Sequence, residues 1–194
     1  MFEAVLIYID IIIGIGVLII LCNRLILWPE AELPNWDTEG RKLLKTTFDE
    51  VWFLACRKKQ ISCKKPKAVT LQNYRLQYNS LAEAHQKYII FMRAFLTVKT
   101  AQDRQFVIGH EIGHIVLGHV DIPDKLKDKE LCEREAYLFS ASLFDNGLEL
   151  LRNEMHRIDE RRRLRLYRLS FGRYFVGGIY KKALRRAISI MATQ

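Results

Sequence analysis

The 194-residue chain is long enough for one compact domain and a small appendage, and its length favours one domain over two. Its four cysteines, Cys22, Cys56, Cys63 and Cys132, form no CxxC pair, which argues against a disulfide framework and a cysteine zinc site. The net charge of +9 is confined to the segment from Leu151 onward, where twelve Lys or Arg accompany three acids, so the rest of the chain is neutral overall.

Residues 4–21, AVLIYIDIIIGIGVLIIL, are apolar except for Asp10. A run of ~20 apolar residues can span a bilayer, and here apolar side chains cover every face of a helix, unlike those of a core helix. A cleaved signal peptide is disfavoured because no basic region precedes the run and no small-residue cleavage site follows it. We predict a transmembrane anchor over residues 1–28, with Asp10 neutral, shallow or paired with a partner helix.

Charges beside the predicted anchor indicate its orientation. Glu3 precedes the apolar run, whereas Arg24, Arg41, Lys42 and Lys45 follow it. Because positive charge stays on the cytoplasmic side of a membrane, the bulk of the chain is predicted to be cytoplasmic. Scattered cysteines suit the same reducing compartment.

Several elements are predicted after the anchor. Residues 29–37 contain two prolines and several acids and predict an exposed linker. Thr38 is predicted to cap a helix that runs to about Lys59. AVTLQN (68–73) and YRLQYN (74–79) alternate apolar and polar residues, and KYIIFMRAF (87–95) is a more apolar strand candidate. These three segments predict a small, mostly antiparallel three-stranded sheet.

Two further helices and a basic region follow the predicted strands. The first helix starts in TAQDRQF and ends near Gly118, and the second covers LCEREAYLFSASLF and is closed by Asn146 and Gly147. Helices and a small sheet together predict an α+β domain over residues 38–150. Residues 151–194 are predicted to form a basic helical C-terminal region.

The segment FVIGHEIGHIVLGHV (106–120) carries a candidate metal site. His110 and His114 are four residues apart, so on a helix their rings emerge from one face and can hold one ion. Glu111 lies on an adjacent part of that surface, where its carboxylate can act on a water beside the ion. Zinc with a carboxylate base is typical of hydrolytic sites. A pair of hydrogen-bonded core histidines is the alternative.

A catalytic zinc usually has three protein ligands. His119 is disfavoured by spacing, because HExxHxxGxxH would need histidine at position 120, where the chain has Val120. His119 is instead predicted to lie solvated near the helix C-terminus. On the next helix, the acidic stretch CEREAY offers Glu133 and Glu135, and either could approach the ion.

Three segments occur in a characteristic order between Tyr88 and about Phe144. They are the strand YIIFMRAFL, the helix DRQFVIGHEIGHIVLGH, and an E-x-E-A-x-x-F-x-A pattern formed by Glu133, Glu135, Ala136, Phe139 and Ala141. This combination resembles the small zinc-peptidase domains of the ImmA/IrrE type. The resemblance implies a zincin-like, minimal gluzincin fold and a cytoplasmic protease of regulatory proteins. It also implies that an extended substrate binds at the edge of the strand YIIFMRAFL.

The resemblance also implies roles for individual residues. Zn²⁺ would be held by His110, His114 and Glu133, with Glu111 as the general base and Glu135 as the second candidate for the third ligand. The family commonly has Asn or Asp after the alanine of the acidic helix, where this chain has Tyr137. A polar residue at that position can orient a metal-bound histidine.

The basic C-terminal region allows three interpretations. Arginines mixed with leucines and aromatic residues suit contact with an anionic membrane surface, and charge with aromatic residues suits nucleic acid. The third interpretation is a packed helix with a solvated basic face. No DNA-binding motif is present, so nucleic acid is not among the predicted partners.

The sequence thus predicts a membrane-anchored, cytoplasm-facing zinc metalloprotease that acts on a protein or peptide substrate. One alternative is a regulatory or immunity module that keeps the fold and the zinc but cuts nothing. A second alternative, an intramembrane protease, is disfavoured because Asp103, Arg104 and Asp121 flank the histidine helix and only one convincing span exists.

Overall fold

A computed structural model of the chain describes residues 36–71, 81–98, 100–123, 125–166 and 174–194. These ranges form an α+β fold, as predicted, with five α-helices and one three-stranded sheet. The predicted anchor and the predicted strand YRLQYN fall outside the described residues. Within the described ranges, no helix is both long and apolar enough to cross a membrane.

The helices and strands follow one another in a simple order. Helix α1 is followed by three short strands, then by the histidine helix α2, the acidic helix α3 and two C-terminal helices, α4 and α5. Short 3-10 turns occupy Arg93–Thr97 and His119–Asp121. The bounds are α1 Thr38–Lys59, β1 Lys67–Leu71, β2 Ala82–His85, β3 Tyr88–Met92, α2 Ala101–Val116, α3 Lys129–Ala141, α4 Gly147–Leu166 and α5 Tyr174–Met191.

The sheet is mixed rather than mostly antiparallel, with strand order β1-β3-β2. β1 pairs parallel with β3, so that Lys67 lies opposite Tyr88. β2 pairs antiparallel with β3 through a tight turn at residues 86–87. The sequence prediction was wrong because alternating apolar residues identify strands but carry no information on their relative direction. It also missed β2, whose sequence AEAH has neither β-branched nor large apolar side chains.

Helix α1 has the predicted extent, although Asp37 rather than Thr38 is its N-cap. The Asp37 carboxylate accepts a hydrogen bond from the Gly40 N–H at 2.6 Å. Three phenylalanine rings join α1 to β3 and the turn that follows. The Phe48 and Phe91 rings pack edge to face at 6.3 Å, and those of Phe91 and Phe95 at 5.1 Å. These rings form the centre of the main core beneath the sheet.

The basic region folds back as helices α4 and α5 and shares a second core with α2 and α3. Its buried side chains include Phe106, Tyr137, Ala141, Leu150, Leu151, Ala183, Leu184 and Ala187. The prediction that Asn146 and Gly147 close the acidic helix was wrong, because α3 ends at Ala141 and Gly147 begins α4. Lysines and an arginine of α5 pair with acids on its neighbours: Lys182 and Arg186 with Glu130, and Lys181 with Asp159.

Candidate metal centre

Helix α2 presents His110 and His114 from adjacent turns of one buried face. The Thr100 side chain caps the helix by accepting a hydrogen bond from the Asp103 N–H at 3.0 Å. The two imidazole rings pack edge to face with centroids 4.7 Å apart, and their Nε2 atoms lie 3.2 Å from one another. Both side chains are buried, so their nitrogens converge in a site largely shielded from solvent.

Glu133 of helix α3 completes a group of three converging side chains. Its Oε2 lies 3.1 Å from His110 Nε2 and 3.6 Å from His114 Nε2. Burial alone would raise the pKa of Glu133, but hydrogen bonds and charge from the two imidazoles lower it to about 2. The glutamate is therefore held ionised, with an oxygen aimed at both histidines.

Small residues let α3 approach α2 closely enough for this convergence. A Cβ atom on Gly109 would lie only 2.6 Å from the Ser140 hydroxyl oxygen. That hydroxyl is buried and donates a hydrogen bond of 2.7 Å to the Phe106 carbonyl oxygen, so it cannot move away freely. Gly109 thus allows the two helices to pack closely, and this close packing sets the position of Glu133.

The three side chains fit a zinc ion. Zinc bonds of about 2.05 Å at the corners of a tetrahedron place ligand atoms about 3.3 Å apart. The ligand atoms of His110, His114 and Glu133 all lie within 4.8 Å of one another, and their separations of 3.1, 3.2 and 3.6 Å are close to that spacing. Two imidazole nitrogens and one carboxylate oxygen are also a donor set found in hydrolytic zinc sites.

Glu111 lies beside this group but is not a member of it. Its side chain is buried, with 8% of the residue exposed, and its carboxylate accepts a hydrogen bond from the Ala84 N–H of strand β2. Burial, with smaller contributions from the Glu133 and Glu83 carboxylates, raises the pKa of Glu111 to about 7, and the charge of His114 and the hydrogen bond from Ala84 oppose part of this shift. A carboxyl with such a pKa can take up and release a proton near neutral pH.

His119 is buried, with only 3% of the residue exposed, so the prediction of a solvated histidine was wrong. Its Nδ1 lies 3.1 Å from His114 Nδ1, and its Nε2 lies 3.0 Å from Glu135 Oε2. Burial lowers the pKa of His119, and the hydrogen bond to Glu135 partly opposes that shift. The HExxHxxGxxH spacing disfavoured His119 as a ligand, but it revealed nothing about the contacts of His119 with His114 and Glu135.

Tyr137 packs its ring against His110, with centroids 4.3 Å apart and planes tilted by 40°. The same ring also stacks with Phe106, with centroids 6.4 Å apart. Burial raises the pKa of Tyr137 well above its ordinary value, so the hydroxyl stays protonated. His110 Nδ1 is buried without a hydrogen-bond partner among the described residues. Tyr137 therefore fixes the ring of His110 by packing instead of by a polar contact.

Tyr180 of helix α5 lies within electrostatic reach of the carboxylates of the site, which the sequence did not reveal. It lies one turn before Ala183 and Leu184, which are buried against the acidic helix and its neighbours. Burial raises the pKa of Tyr180, as do the negative charges of Glu133, Glu111 and Glu83, which act on its hydroxyl. It is one of eight tyrosines, in a region whose visible feature is positive charge, so no sequence pattern distinguishes it.

An HExxH helix, a short sheet beside it and a glutamate from the following helix define a zinc-peptidase-like domain. The chain belongs to the Peptidase M78 family, the IrrE N-terminal-like domain, whose profile matches residues 70–172. This finding confirms the resemblance inferred from the sequence. Comparison with curated proteins and with solved structures gives no match to either.

Proposed function

We propose that the protein is a zinc metallopeptidase in which His110, His114 and Glu133 hold the ion and Glu111 is the general base. The observation that carries this proposal is the convergence of the three ligand atoms within 4.8 Å, with the Glu111 carboxyl buried beside them. Membership of a zinc-associated peptidase family supports it.

The division of labour follows from the side chains. Zinc, when bound, acidifies water and polarises the peptide carbonyl. Glu111 takes the proton of the attacking water and passes it to the amine nitrogen as the peptide bond breaks. The Ala84 N–H holds the Glu111 carboxylate in place during both transfers. We assign to the Tyr180 hydroxyl the hydrogen bond to the carbonyl oxygen, where negative charge develops.

An extended substrate is best accommodated along strand β2. The sequence placed it on the strand YIIFMRAFL, but β3 is the central strand and both of its edges are paired. Among the described strands, β2 pairs with β3 alone. The Ala84 hydrogen bond to Glu111 brings the outer side of β2 next to the proposed base. A peptide added at this edge would bind through its main chain.

Membrane attachment is a separate part of the proposal. It is supported by the apolar residues 4–21 and by the basic residues that follow them, which favour a cytoplasmic site and a substrate at or near the membrane. Each arginine at the centre of a span costs about 3 kcal/mol on insertion scales, so the double variant Ile13→Arg, Leu18→Arg should leave the membrane fraction. Recovery of the unaltered chain in the soluble fraction would contradict an anchor.

Contact of the basic region with anionic lipid is the weaker part of this proposal. Three of its cations on α5, Lys181, Lys182 and Arg186, pair with carboxylates of α3 and α4. These ion pairs favour the interpretation of a packed helix over that of a lipid-binding surface. We therefore assign membrane contact to the predicted anchor and not to the basic region.

A regulatory module that binds zinc but cuts nothing is the second candidate, because the same family fold serves both. A comparison of new protein N-termini by mass spectrometry, in cells that express the full chain or its Glu111→Gln variant, separates the two. A peptidase produces N-termini that are absent with the variant, although both proteins contain zinc. Identical N-termini in the two samples, with zinc present in both, would favour the regulatory module.

A further inference from the structure

We propose that His119 and Glu135 position the metal-binding histidine His114 by fixing which of its nitrogens carries the proton. This inference rests on the proposed function, because it concerns the proposed zinc site. It assigns a role to two residues that are not among the three ligands. His119 and Glu135 act through His114 and are positioning residues.

The contacts form a continuous chain from the surface to the site. Glu135 Oε2 lies 3.0 Å from His119 Nε2, His119 Nδ1 lies 3.1 Å from His114 Nδ1, and His114 Nε2 faces the proposed ion. Glu135 is 44% exposed at its side chain, whereas His119 is buried. A buried imidazole thus links a solvated carboxylate to a ligand.

The backbone after helix α2 turns His119 back toward His114. Gly118 adopts a left-handed conformation with φ of 72°, and a 3-10 turn begins at His119. No atom lies within 4 Å of the position of a Cβ on Gly118, so the dihedral angle, and not lack of space, favours glycine there. The turn replaces a helical continuation, in which residue 119 would point elsewhere.

Counting donors and acceptors assigns the tautomers. A carboxylate only accepts hydrogen bonds, so His119 must donate to Glu135 from Nε2–H. A neutral imidazole has one N–H, which leaves His119 Nδ1 as an acceptor for His114 Nδ1–H. His114 Nε2 then has its lone pair free and directed at the group of three. This is the form of imidazole that binds a metal.

The two histidine ligands differ in the contacts of the Nδ1 atom that faces away from the proposed ion. His110 Nδ1 is buried and has no hydrogen-bond partner within the described residues, and its ring is held by Tyr137. Both ring nitrogens of His119 are used by His114 and Glu135, so His119 is not itself a fourth ligand. Of the two histidine ligands, therefore, His114 is the one that receives polar support.

The first test measures zinc affinity of the full chain in detergent by competition with a chromophoric chelator. We expect His119→Ala and Glu135→Ala to weaken zinc binding by about 10- to 100-fold. His119→Asn, whose amide oxygen can still accept from His114 Nδ1–H, should recover part of the loss. His156→Ala and Glu160→Ala are matched controls on exposed residues of α4 and should change nothing. Affinities of both site variants within about two-fold of the unaltered chain would overturn the proposal.

The second test reads the tautomer of His114 in the metal-free protein from ¹⁵N chemical shifts of the imidazole nitrogens. We expect a protonated Nδ1 in the unaltered chain and a mixture of tautomers in Glu135→Ala, which removes a side chain that is 44% exposed and should leave the fold intact. A protonated Nε2 in the unaltered chain would overturn the inference. Absence of zinc binding in the unaltered chain would contradict the proposed function instead, and the tautomer measurement would still decide the role of His119.

Discussion

Gly113 of helix α2 and Ala136 of helix α3 bring the two helices into backbone contact. A Cβ on Gly113 would lie 3.2 Å from Ala136 Cα, 3.3 Å from its carbonyl oxygen and 3.1 Å from Phe139 Cδ1. Backbone atoms cannot yield as a flexible side chain can. The distance between the histidines and Glu133 therefore depends on the absence of a side chain at position 113.

Gly113→Ala is expected to push α3 away from α2 and to lower both stability and zinc affinity. Overpacking of this kind costs about 1–3 kcal/mol. The free energy of unfolding and the zinc affinity of the full chain in detergent would be compared with those of Gly178→Ala. No atom lies within 4 Å of a Cβ at Gly178, so that substitution in a helix should be neutral or stabilising. Equal stability of the two variants would argue against the tight contact.

His110→Ala, His114→Ala and Glu133→Ala are each expected to reduce the zinc content of the purified full chain from one ion per chain to nearly none. Each removes one of three converging donors, and two protein ligands hold zinc poorly. Elemental analysis by mass spectrometry provides the measurement. His156→Ala, which removes a histidine with a 75% exposed side chain, serves as the control. Retention of zinc by all three variants would contradict the proposed ligand set.

Glu111→Gln is expected to stabilise the metal-free protein at pH 8 more than at pH 5. The pKa of Glu111 is about 7 in the folded protein against 4.5 ordinarily, so the folded chain keeps a proton that the unfolded chain releases. The protonated Glu111 carboxyl makes its whole contribution to the free energy of unfolding below pH 4.5. This contribution is lost as the pH rises through about 7. The variant, which cannot ionise, should gain up to about 3 kcal/mol at pH 8 and below about 1 kcal/mol at pH 5.

Thermal unfolding in the presence of a chelator, followed by circular dichroism at both pH values, measures this difference. The pKa of Glu133 is lowered to about 2, so its stabilising contribution is lost only as the pH falls below 4.5 and does not affect the comparison. Glu160→Gln, which removes the charge of an exposed carboxylate on α4, serves as the matched control. The same gain for Glu111→Gln at both pH values would show that burial does not disfavour its ionised form.

Tyr180→Phe is expected to lower kcat by about 100-fold, the usual cost of losing one donor to a developing oxyanion, with little change in KM. Zinc content should remain unchanged, because the hydroxyl is not part of the group of three. Cleavage of a peptide that spans a site found by the N-terminal comparison supplies the assay. Tyr88→Phe, at an exposed tyrosine stacked on His85, is the matched control. An unchanged kcat would remove Tyr180 from the proposed mechanism.

The helices could largely be predicted from the sequence because local patterns define them. Capping residues and apolar spacing locate α1 and α2 almost to the residue. The direction of the strands could not be predicted, because β1 joins β3 in parallel through contacts that no local pattern encodes. The role of Gly147 was misjudged because glycine follows helix ends and also begins the next helix here.

In the candidate site, too, the sequence predicted what local patterns determine and missed what contacts between distant segments determine. His110, Glu111 and His114 follow from helical spacing, and the family resemblance pointed to Glu133, which the structure places beside both histidines. Contacts between side chains of different helices and turns could not be predicted from the sequence. His119 was excluded as a ligand by a one-residue offset, yet its burial against His114 depends on the turn at Gly118.

Helix α5 determines how far a truncated fragment of the protein must extend to keep its fold. The family match ends at residue 172, but α5 lies beyond it and covers Leu150 and Leu151 with Ala183, Leu184 and Ala187. A fragment trimmed at residue 172 would expose that apolar surface to solvent, free Glu130 from two cations and lose Tyr180. The shortest fragment that retains the site in this fold therefore extends to Met191, and shorter fragments should aggregate.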